Sequence, residues 1–362
     1  MKHVFALFAS FTVIVTVFTG CAPELHERLL ISAIGVDSDD NGWRVTVRAF
    51  TPDQTDHAEK SYTGSGETVA SALDGIIRQT GKLPLYSHSS VLVFGRNCAE
   101  KGLDDCLDFF IRHYDSRPDM NVLLSSSTAE DILKINDGKA APSTAEIGAL
   151  INTKKHQLQS ADLISLVNGT FGADQTACIP IIQKEPVMHI AGSGLLHDFE
   201  LIDEPDADAL RGMLLIRGGS IMDETVLQTL SGGSISVTSE AVSSEIRFTG
   251  TTETPRFEIT VRINGKINSM ERGLRPLSGD VFAEIEKHYA ENVLNSITHY
   301  LQTVVLVKGV DAAGFGTALL HDAPEIQKAV KQDPVSLLSA AAYSVSVTAN
   351  IDRTEEEDTP YF

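Results

Sequence analysis

The sequence is poor in basic residues, and this shortage limits the partners that the protein can bind. Lysine and arginine together number 29 against 49 aspartate and glutamate residues, which gives a formal net charge of −20. Nucleic acids and anionic lipid surfaces attract proteins through clusters of cations. The composition therefore argues against nucleic acid as a partner, and it predicts that attachment to a membrane depends on an anchor rather than on a polybasic surface.

Cysteine is also scarce, with four residues in 362. If Cys21 is set apart for the reason given below, Cys98, Cys106 and Cys178 remain, and an odd number cannot form a complete disulfide framework. We expect free, mostly buried thiols, with a Cys98–Cys106 bridge as the alternative. No C-x-x-C or Cys/His spacing typical of a metal site occurs, so the sequence predicts no metal and no cofactor.

Catalytic motifs are missing as well. The sequence has no G-x-S-x-G, no P-loop, no G-x-G-x-x-G after a strand and no H-E-x-x-H. Gly192-Ser193-Gly194 lies within a predicted strand, and His197-Asp198 is predicted to form a turn. His88 is expected to be hydrogen-bonded at a strand edge, and Asp39-Asp40-Asn41 suits a hairpin turn better than a calcium loop. We therefore predict no catalytic residue and no enzymatic activity.

Long apolar runs are rare, and the one clear example lies at the N-terminus. Val4–Phe18 is almost wholly apolar, follows Lys2, and leads into Thr19-Gly20-Cys21. This run is the length of a signal-peptide core and shorter than the roughly 20 residues of a membrane-spanning helix. Small residues before a cysteine are typical of a bacterial lipoprotein signal, although Phe18 stands where leucine is commoner. We predict that residues 1–20 are removed and that the Cys21 thiol receives a diacylglycerol, which would hold the protein at the outer face of a membrane. An ordinary signal peptide and a retained N-terminal helix are the alternatives.

Alternating strand and helix patterns predict an N-terminal α/β domain over residues 22–136. Leu29–Val36 and Trp43–Phe50 are predicted to form a hairpin at Asn41-Gly42, and Ser61–Gly66 a turn-rich connector. Glu67–Thr80 has the periodicity of an amphipathic helix that ends at Gly81. Further predicted elements are strands at Ser89–Gly95 and Met120–Ser125 and helices at Leu103–Ile111 and Thr128–Ile135.

Residues 137–232 are predicted to form a middle domain, with a helical segment followed by a strand-rich connector. Its first helix begins at Ser143, where Glu146 completes a capping box. Residues 233–352 are predicted to form a C-terminal α+β domain, and residues 353–362 a tail. The predicted elements of that domain are strands Ile235–Val237, Ala241–Phe248 and Phe257–Ile263, a turn at Asn264-Gly265, a long helix Ser278–Val307 and a strand Tyr343–Ile351. The fold class that follows is α+β, with three domains, mixed β-sheets, flanking helices and a long helix in the C-terminal domain.

Several short segments occur in an order typical of one protein family: Glu27–Asp37, Leu85–His88 before Val91–Gly95, Gly102–Arg112, Gly194–Leu196, Leu210–Gly212 and Asp311–Gly316. This order resembles the Ger(x)C family, the lipoprotein C subunits of nutrient germinant receptors in endospore-forming bacteria. The resemblance covers nearly the whole chain after Cys21. Two departures are Ala22-Pro23, where the family usually has Trp-Asp, and the lack of tryptophan after Pro324.

The resemblance implies a three-domain α+β protein on the outer surface of the spore inner membrane. It implies assembly with two integral membrane subunits, an A-type subunit with a large soluble domain and a permease-like B-type subunit. It also implies a requirement in nutrient-triggered germination without catalysis. The rival interpretation is a solute-binding lipoprotein of a transporter, which usually has two similar α/β lobes, whereas the segment after residue 233 is strand-rich. A surface hydrolase is a further alternative, for which no nucleophile with an oriented base is evident.

Asp311, Gly314, Phe315 and Gly316 are the candidate partner-contact residues, because two glycines flank one phenylalanine directly after the long predicted helix. The alternative is a helix C-cap turn with the phenylalanine in the core.

Overall fold

The computed structural model describes residues 25–39, 42–50, 59–113, 115–135, 142–154, 162–219, 223–228, 233–270, 279–330 and 334–352. Cys21 and the predicted tail lie outside these residues. The described chain forms two β-sheets, one of nine strands and one of four.

The first sheet is mixed. Its strands are β1 (Arg28–Asp39), β2 (Gly42–Phe50), β3 (Glu59–Gly66), β4 (Leu83–Leu85), β5 (Val91–Phe94), β6 (Asn121–Ser125), β7 (Thr176–Gln183), β8 (His189–His197) and β9 (Glu200–Asp203). The order is β3-β2-β1-β5-β6-β7-β8-β9, with β4 also paired to β1. The central strands β1, β5, β6 and β7 are parallel, while β2, β3, β8 and β9 join by antiparallel pairing.

Helices cover both faces of this sheet, which explains its nearly continuous apolar strands. One face packs against α1 (Val69–Thr80), α2 (Arg96–Lys101), α3 (Asp104–Arg112) and α6 (Leu163–Phe171), and the other against α4 (Ala129–Leu133) and α5 (Thr144–Lys154). The predicted capping box of α5 is present, because the Ser143 N–H donates to Glu146 at 2.7 Å and the Glu146 N–H donates to Ser143 Oγ at 3.2 Å. Cys98, Cys106 and Cys178 are free and buried.

The predicted connector Ser61–Gly66 is wrong, because these residues belong to strand β3. Its small residues suit a close approach of α1 rather than a turn. A Cβ at Gly64 would lie 2.2 Å from the Ala72 carbonyl oxygen, and a Cβ at Gly66 would lie 2.2 Å from Ser71 Oγ. Glycine is therefore needed where the helix crosses the strand.

A buried ion pair joins β2 and β3 to the helices on one face. Arg48 is fully buried, and its Nη1 lies 3.7 Å from Glu59 Oε2. Its Nε and Nη2 donate to the carbonyl oxygens of Leu133 and Ile132 at 2.6 and 3.0 Å. Glu59 in turn accepts the backbone N–H of Thr144 at 3.0 Å. The guanidinium thus satisfies the last carbonyls of α4, and the carboxylate holds the start of α5.

The second sheet contains β10 (Glu224–Gln228), β11 (Ser234–Phe248), β12 (Arg256–Met270) and β13 (Ala342–Asp352), in that order. It is also mixed, since β12 and β13 are parallel and the other pairs antiparallel. Its apolar face packs against α7 (Ala207–Arg217), α8 (Gly279–Tyr300), α9 (Phe315–Asp322) and α11 (Pro334–Ala340), and α10 (Pro324–Val330) follows α9. Helix α8 continues through a π-helical segment, Leu301–Val305, to a final turn at Leu306–Lys308.

Two local predictions in this region are wrong. The predicted turn at Asn264-Gly265 is part of β12, which runs on to Met270. Gly265 is small for a packing reason, because a Cβ there would lie 2.7 Å from Val237 Cγ1 and 3.0 Å from Tyr289 Cε1. The two strands predicted on either side of residue 239 are one strand, β11, with an irregular register between Ser239 and Ala241.

The predicted fold class is confirmed: the chain is α+β with mixed sheets, and a long helix precedes the last strand. The division into three domains stays a prediction. Within the described residues, no helix is both long and apolar enough to cross a membrane.

Candidate interaction site at the Asp311 turn

The turn between α8 and α9 contains the residues singled out from the sequence. Helix α8 ends at Gly309, which has a left-handed backbone with φ of 66° and donates its N–H to the Val305 carbonyl at 2.9 Å. Gly314, with φ of 108°, stands directly before α9. Both positions favour glycine because other residues rarely adopt such angles. The two glycines allow the chain to reverse within a few residues.

The Asp311 side chain stabilises this turn by hydrogen bonds to its backbone. Its Oδ1 accepts the backbone N–H groups of Ala313, Gly314 and Phe315 at 3.2, 2.8 and 2.9 Å, and its Oδ2 accepts that of Gly316 at 2.5 Å. The first N–H groups of a helix have no partner within the helix, and a carboxylate placed there satisfies them and complements the helix dipole. Asp311 is therefore the cap of α9.

Phe315 belongs to the core of the second sheet. Its side chain is fully buried, and its ring centroid lies 5.0 Å from that of Phe257 and 5.3 Å from that of Tyr343. Phe257 also packs at 5.2 Å against Phe248. These edge-to-face and tilted contacts are the arrangements that aromatic rings prefer. The ring fixes the first turn of α9 on the sheet.

The loop before β7, in the first sheet, contacts the same turn. Asp174 Oδ1 accepts both the N–H and the hydroxyl of Thr317, at 2.7 and 3.0 Å. A Cβ at Gly316 would lie 2.4 Å from the Ala173 carbonyl oxygen, so only glycine fits this contact. From α7, Arg217 Nη1 donates to the Ala312 carbonyl at 2.8 Å. The turn therefore joins elements of both sheets.

Burial and charge act in opposite directions on the Asp311 carboxyl. Burial, with a further contribution from the negative charge of Asp174, raises the pKa of Asp311 to about 7, against the lowering effect of the backbone N–H donors. Burial also raises the pKa of Tyr343 and Tyr300 well above the usual range, and the charge of Asp311 acts in the same direction on both. The turn thus holds a carboxyl group that changes charge near neutral pH.

A cleft of about 410 Å³ opens beside the turn. Its polar lining includes Asp174, Arg217, Thr317 and His321, and Gly314 lies at its wall. The turn contains no side chain arranged as a nucleophile with an oriented base, and the described residues contain no group of three or more side chains suited to hold a metal ion. One cation, one carboxylate and several hydrogen-bonding groups suit the recognition of a polar surface.

Two family profiles match this chain. "Spore germination protein N-terminal domain" covers residues 22–184, and "Spore germination B3/ GerAC like, C-terminal" covers residues 191–355. The chain belongs to the Ger(x)C family of spore germination proteins. The resemblance found in the sequence is thereby confirmed. Ger(x)C proteins are C subunits of germinant receptors, and the family is not known as one of enzymes.

A solved structure has a similar fold. The match is to "Crystal Structure of the GerBC protein", with a TM-score of 0.57 and 14% sequence identity, and it covers 88% of this chain and 97% of that chain. At this identity the likeness establishes the fold. A comparison with curated proteins found no match.

Within the Ger(x)C fold, the candidate residues fall into two groups. Asp311 and Phe315 are buried, whereas Gly314 and Gly316 are partly exposed. A role of this turn in contacting a partner stays a prediction. Lipidation of Cys21 stays one too, because Cys21 lies outside the described residues.

Sequence reasoning missed the residues that hold the turn from outside. Asp174 and Thr317 are 143 positions apart, and Arg217 and Ala312 are 95 apart. Single acidic or basic residues in loops have no local pattern that distinguishes them, so only the fold reveals these pairs. Only the contact at Gly316 had an indication in the sequence, because a glycine just inside a helix is typical of a close backbone contact.

Proposed function

We propose that this protein is the non-catalytic lipoprotein subunit of a nutrient germinant receptor. A diacylglycerol on Cys21 tethers it to the outer face of the spore inner membrane. There it assembles with the integral A-type and permease-like B-type subunits and is needed for nutrient-triggered germination.

One observation carries this proposal. The N-terminal family profile begins at residue 22, directly after the cysteine that ends the predicted lipoprotein signal. The two profiles then extend over almost all of the chain up to residue 355. The part predicted to be removed and the part recognised as a germination protein therefore meet at Cys21.

The tether also gives the protein a physical advantage in assembly. A lipid anchor confines the folded body to a thin layer beside the bilayer, and such confinement raises the effective concentration towards membrane partners to about the millimolar range. Contacts that are weak in solution are then sufficient for assembly. Cations such as Arg217 and carboxylates such as Asp174 at the exposed cleft are suited to contacts of this kind.

A role without catalysis agrees with the chemistry of the Asp311 turn. The oxygens of Asp311 accept four backbone N–H groups, and among the described residues no hydroxyl or thiol group is bonded to them. The titrating carboxyl is committed to holding a helix end. Its neighbours Gly314, which is partly exposed, and Thr317, which is exposed, offer a contact surface.

The test is a Cys21→Ala variant expressed in place of the natural protein. We expect the variant to leave the membrane fraction and the spores to respond poorly to nutrients, while germination by agents that bypass receptors is unchanged. Thr19→Ala is the matched control, because it keeps a small residue in the signal. Unchanged membrane retention and normal nutrient germination of the Cys21→Ala spores would contradict the proposal.

A further inference from the structure

One end of the first sheet lies close to the predicted anchor. Strand β1 begins at Arg28, and its parallel neighbour β4 begins at Leu83, directly opposite Arg28. Strand β2 ends at Phe50, opposite Leu30. Arg28 and Leu83 also line one cleft with His113, which follows the end of α3. The start of β1, the start of β4 and the end of α3 therefore share this end of the sheet.

The tether between anchor and sheet is short. Cys21 and Arg28 are seven residues apart, so a fully extended chain spans at most about 25 Å between them. Leu25–Glu27 form a turn of 3₁₀-helix, which shortens the reach further. Strand β1 then runs ten residues from Arg28 to Ser38, or about 34 Å. One end of the sheet must stay near the bilayer, and the opposite end can stand well away from it.

The side chains at the near end suit a lipid surface. Leu83 is 44% exposed and Ile111, in the last turn of α3, is 51% exposed. Arg28, Arg78 and Lys82 form no ion pair with any other residue that the structure describes.

Acidic residues lie near these cations, so the net charge at this end of the sheet depends on both. Asp74 and Asp115 line the cleft beside Arg28. Together with Glu27, which directly precedes Arg28, these carboxylates balance the three cations Arg28, Arg78 and Lys82, whereas the whole chain has a net charge of −20. An anionic bilayer repels the chain as a whole, and it repels an end with balanced charge less than a surface of average charge. The short tether and the local charge therefore both favour this end of the sheet as the one that faces the membrane.

We propose that the anchor face, defined as Arg28, Arg78, Lys82, Leu83 and Ile111, lies on the anionic lipid surface. Leu83 and Ile111 enter the headgroup layer, and the three cations contact lipid phosphates. This inference rests on the Cys21 anchor of the proposed function. It adds an orientation, in which the start of β1 faces the bilayer and the β1–β2 hairpin end points away.

The single tryptophan of the chain provides a built-in control. Trp43 pairs with Ser38 at the far end of β1. The full lipidated chain is reconstituted in vesicles of phosphatidylcholine with or without phosphatidylglycerol, and brominated lipids are used to quench tryptophan emission. We expect no quenching of Trp43. A Trp43→Phe, Leu83→Trp variant is expected to lose emission as brominated lipid increases, and to lose more when phosphatidylglycerol is present. Trp43→Phe, Ile111→Trp repeats the measurement from α3.

Charge reversal tests the cations. Arg28→Glu with Lys82→Glu is expected to abolish the extra quenching in phosphatidylglycerol, whereas Lys287→Glu with Lys328→Glu, on α8 and α10, is expected to leave it unchanged. A vesicle-bound chain whose introduced tryptophans are not quenched, or whose Trp43 is quenched instead, would overturn the orientation and leave the anchor intact. Shielding of the introduced tryptophans only after an integral membrane protein is added would assign the face to a protein and overturn the proposal. A chain that does not stay with the vesicles would overturn the anchor itself.

Discussion

Replacing Asp311 by alanine removes the cap of α9 and tests the account of the turn. The change leaves the N–H groups of Ala313 and Phe315 buried without an acceptor, while those of Gly314 and Gly316 are partly exposed and can bond water. Each buried unsatisfied donor costs about 1–3 kcal/mol. We therefore expect Asp311→Ala to destabilise the turn by about 3 kcal/mol when the carboxyl of the natural protein is protonated.

The loss of stability in Asp311→Ala is expected to change with pH in a definite direction. Because the pKa of Asp311 is raised to about 7, its contribution to stability is fully present below the ordinary value of 3.8 and is lost as the pH rises through about 7. The difference between the natural protein and Asp311→Ala should thus be larger at pH 5 than at pH 8. The buried site stabilises the charged form of the Asp311 carboxyl less than its protonated form.

Hydrogen exchange followed by mass spectrometry is the assay, because it reports local opening in a chain with more than one sheet. A loss of about 3 kcal/mol corresponds to roughly 100-fold faster exchange of the amides at the start of α9. Asp162→Ala is the control, since Asp162 caps α6 through a single backbone N–H, that of Ser165 at 2.7 Å. Equal exchange in the natural protein and Asp311→Ala at pH 5, or a larger difference at pH 8, would refute the reasoning.

Three further predictions concern Asp311 and the two sheets. Asp174→Asn removes a negative charge that raises the pKa of Asp311, so the loss of protection in α9 should move to lower pH in an exchange series, and an unmoved midpoint would contradict this. Arg48→Met leaves the buried Glu59 unpaired and should cost about 3–5 kcal/mol in urea unfolding, part of which Glu59→Gln should restore; equal unfolding of the single and double variants would argue against a buried pair. Gly265→Val should lower stability by about 1–3 kcal/mol despite the strand preference of valine, because its side chain would meet Val237; a more stable variant would show that β12 has room there.

Periodicity predicted those elements whose apolar faces repeat without interruption. The helix after Thr68 and the strand after Trp43 have such a pattern, the long helix before Gly309 has it with one gap, and the structure contains all three. The capping box at Ser143 was visible because both of its partners lie within three residues of each other. These elements depend on residues that are close together in the chain, so the sequence pattern is enough to predict them.

Two segments that form strands were predicted as a connector and a turn because they contain glycine, and both errors have the same physical reason. Gly64 and Gly265 were taken for turn residues, because glycine is typical of turns. In the structure each lies where another element crosses the strand too closely for a Cβ. A close approach depends on residues distant in the chain, so a single sequence does not distinguish it from a turn.

The site was predicted only in part. The pattern Asp311 to Gly316 located the turn, because two glycines flank one phenylalanine directly after the long predicted helix. The helix that begins at Phe315, and the role of Asp311 as its cap, were not predicted. Its outside support comes from Asp174 and Arg217, which three-dimensional packing brings to the turn. The turn joins the region matched by the N-terminal family profile, which contains Asp174, to the region matched by the C-terminal profile. Long-range pairs of this kind arise from the fold and not from spacing.

Mass spectrometry of the N-terminal peptide of the protein purified from spore membranes tests the central claim most directly. The account predicts a peptide that begins at Cys21 and bears a thioether-linked diacylglycerol, in protein that remains with the inner membrane. A peptide that begins elsewhere, or an unmodified Cys21 in protein recovered from the soluble fraction, would contradict the account.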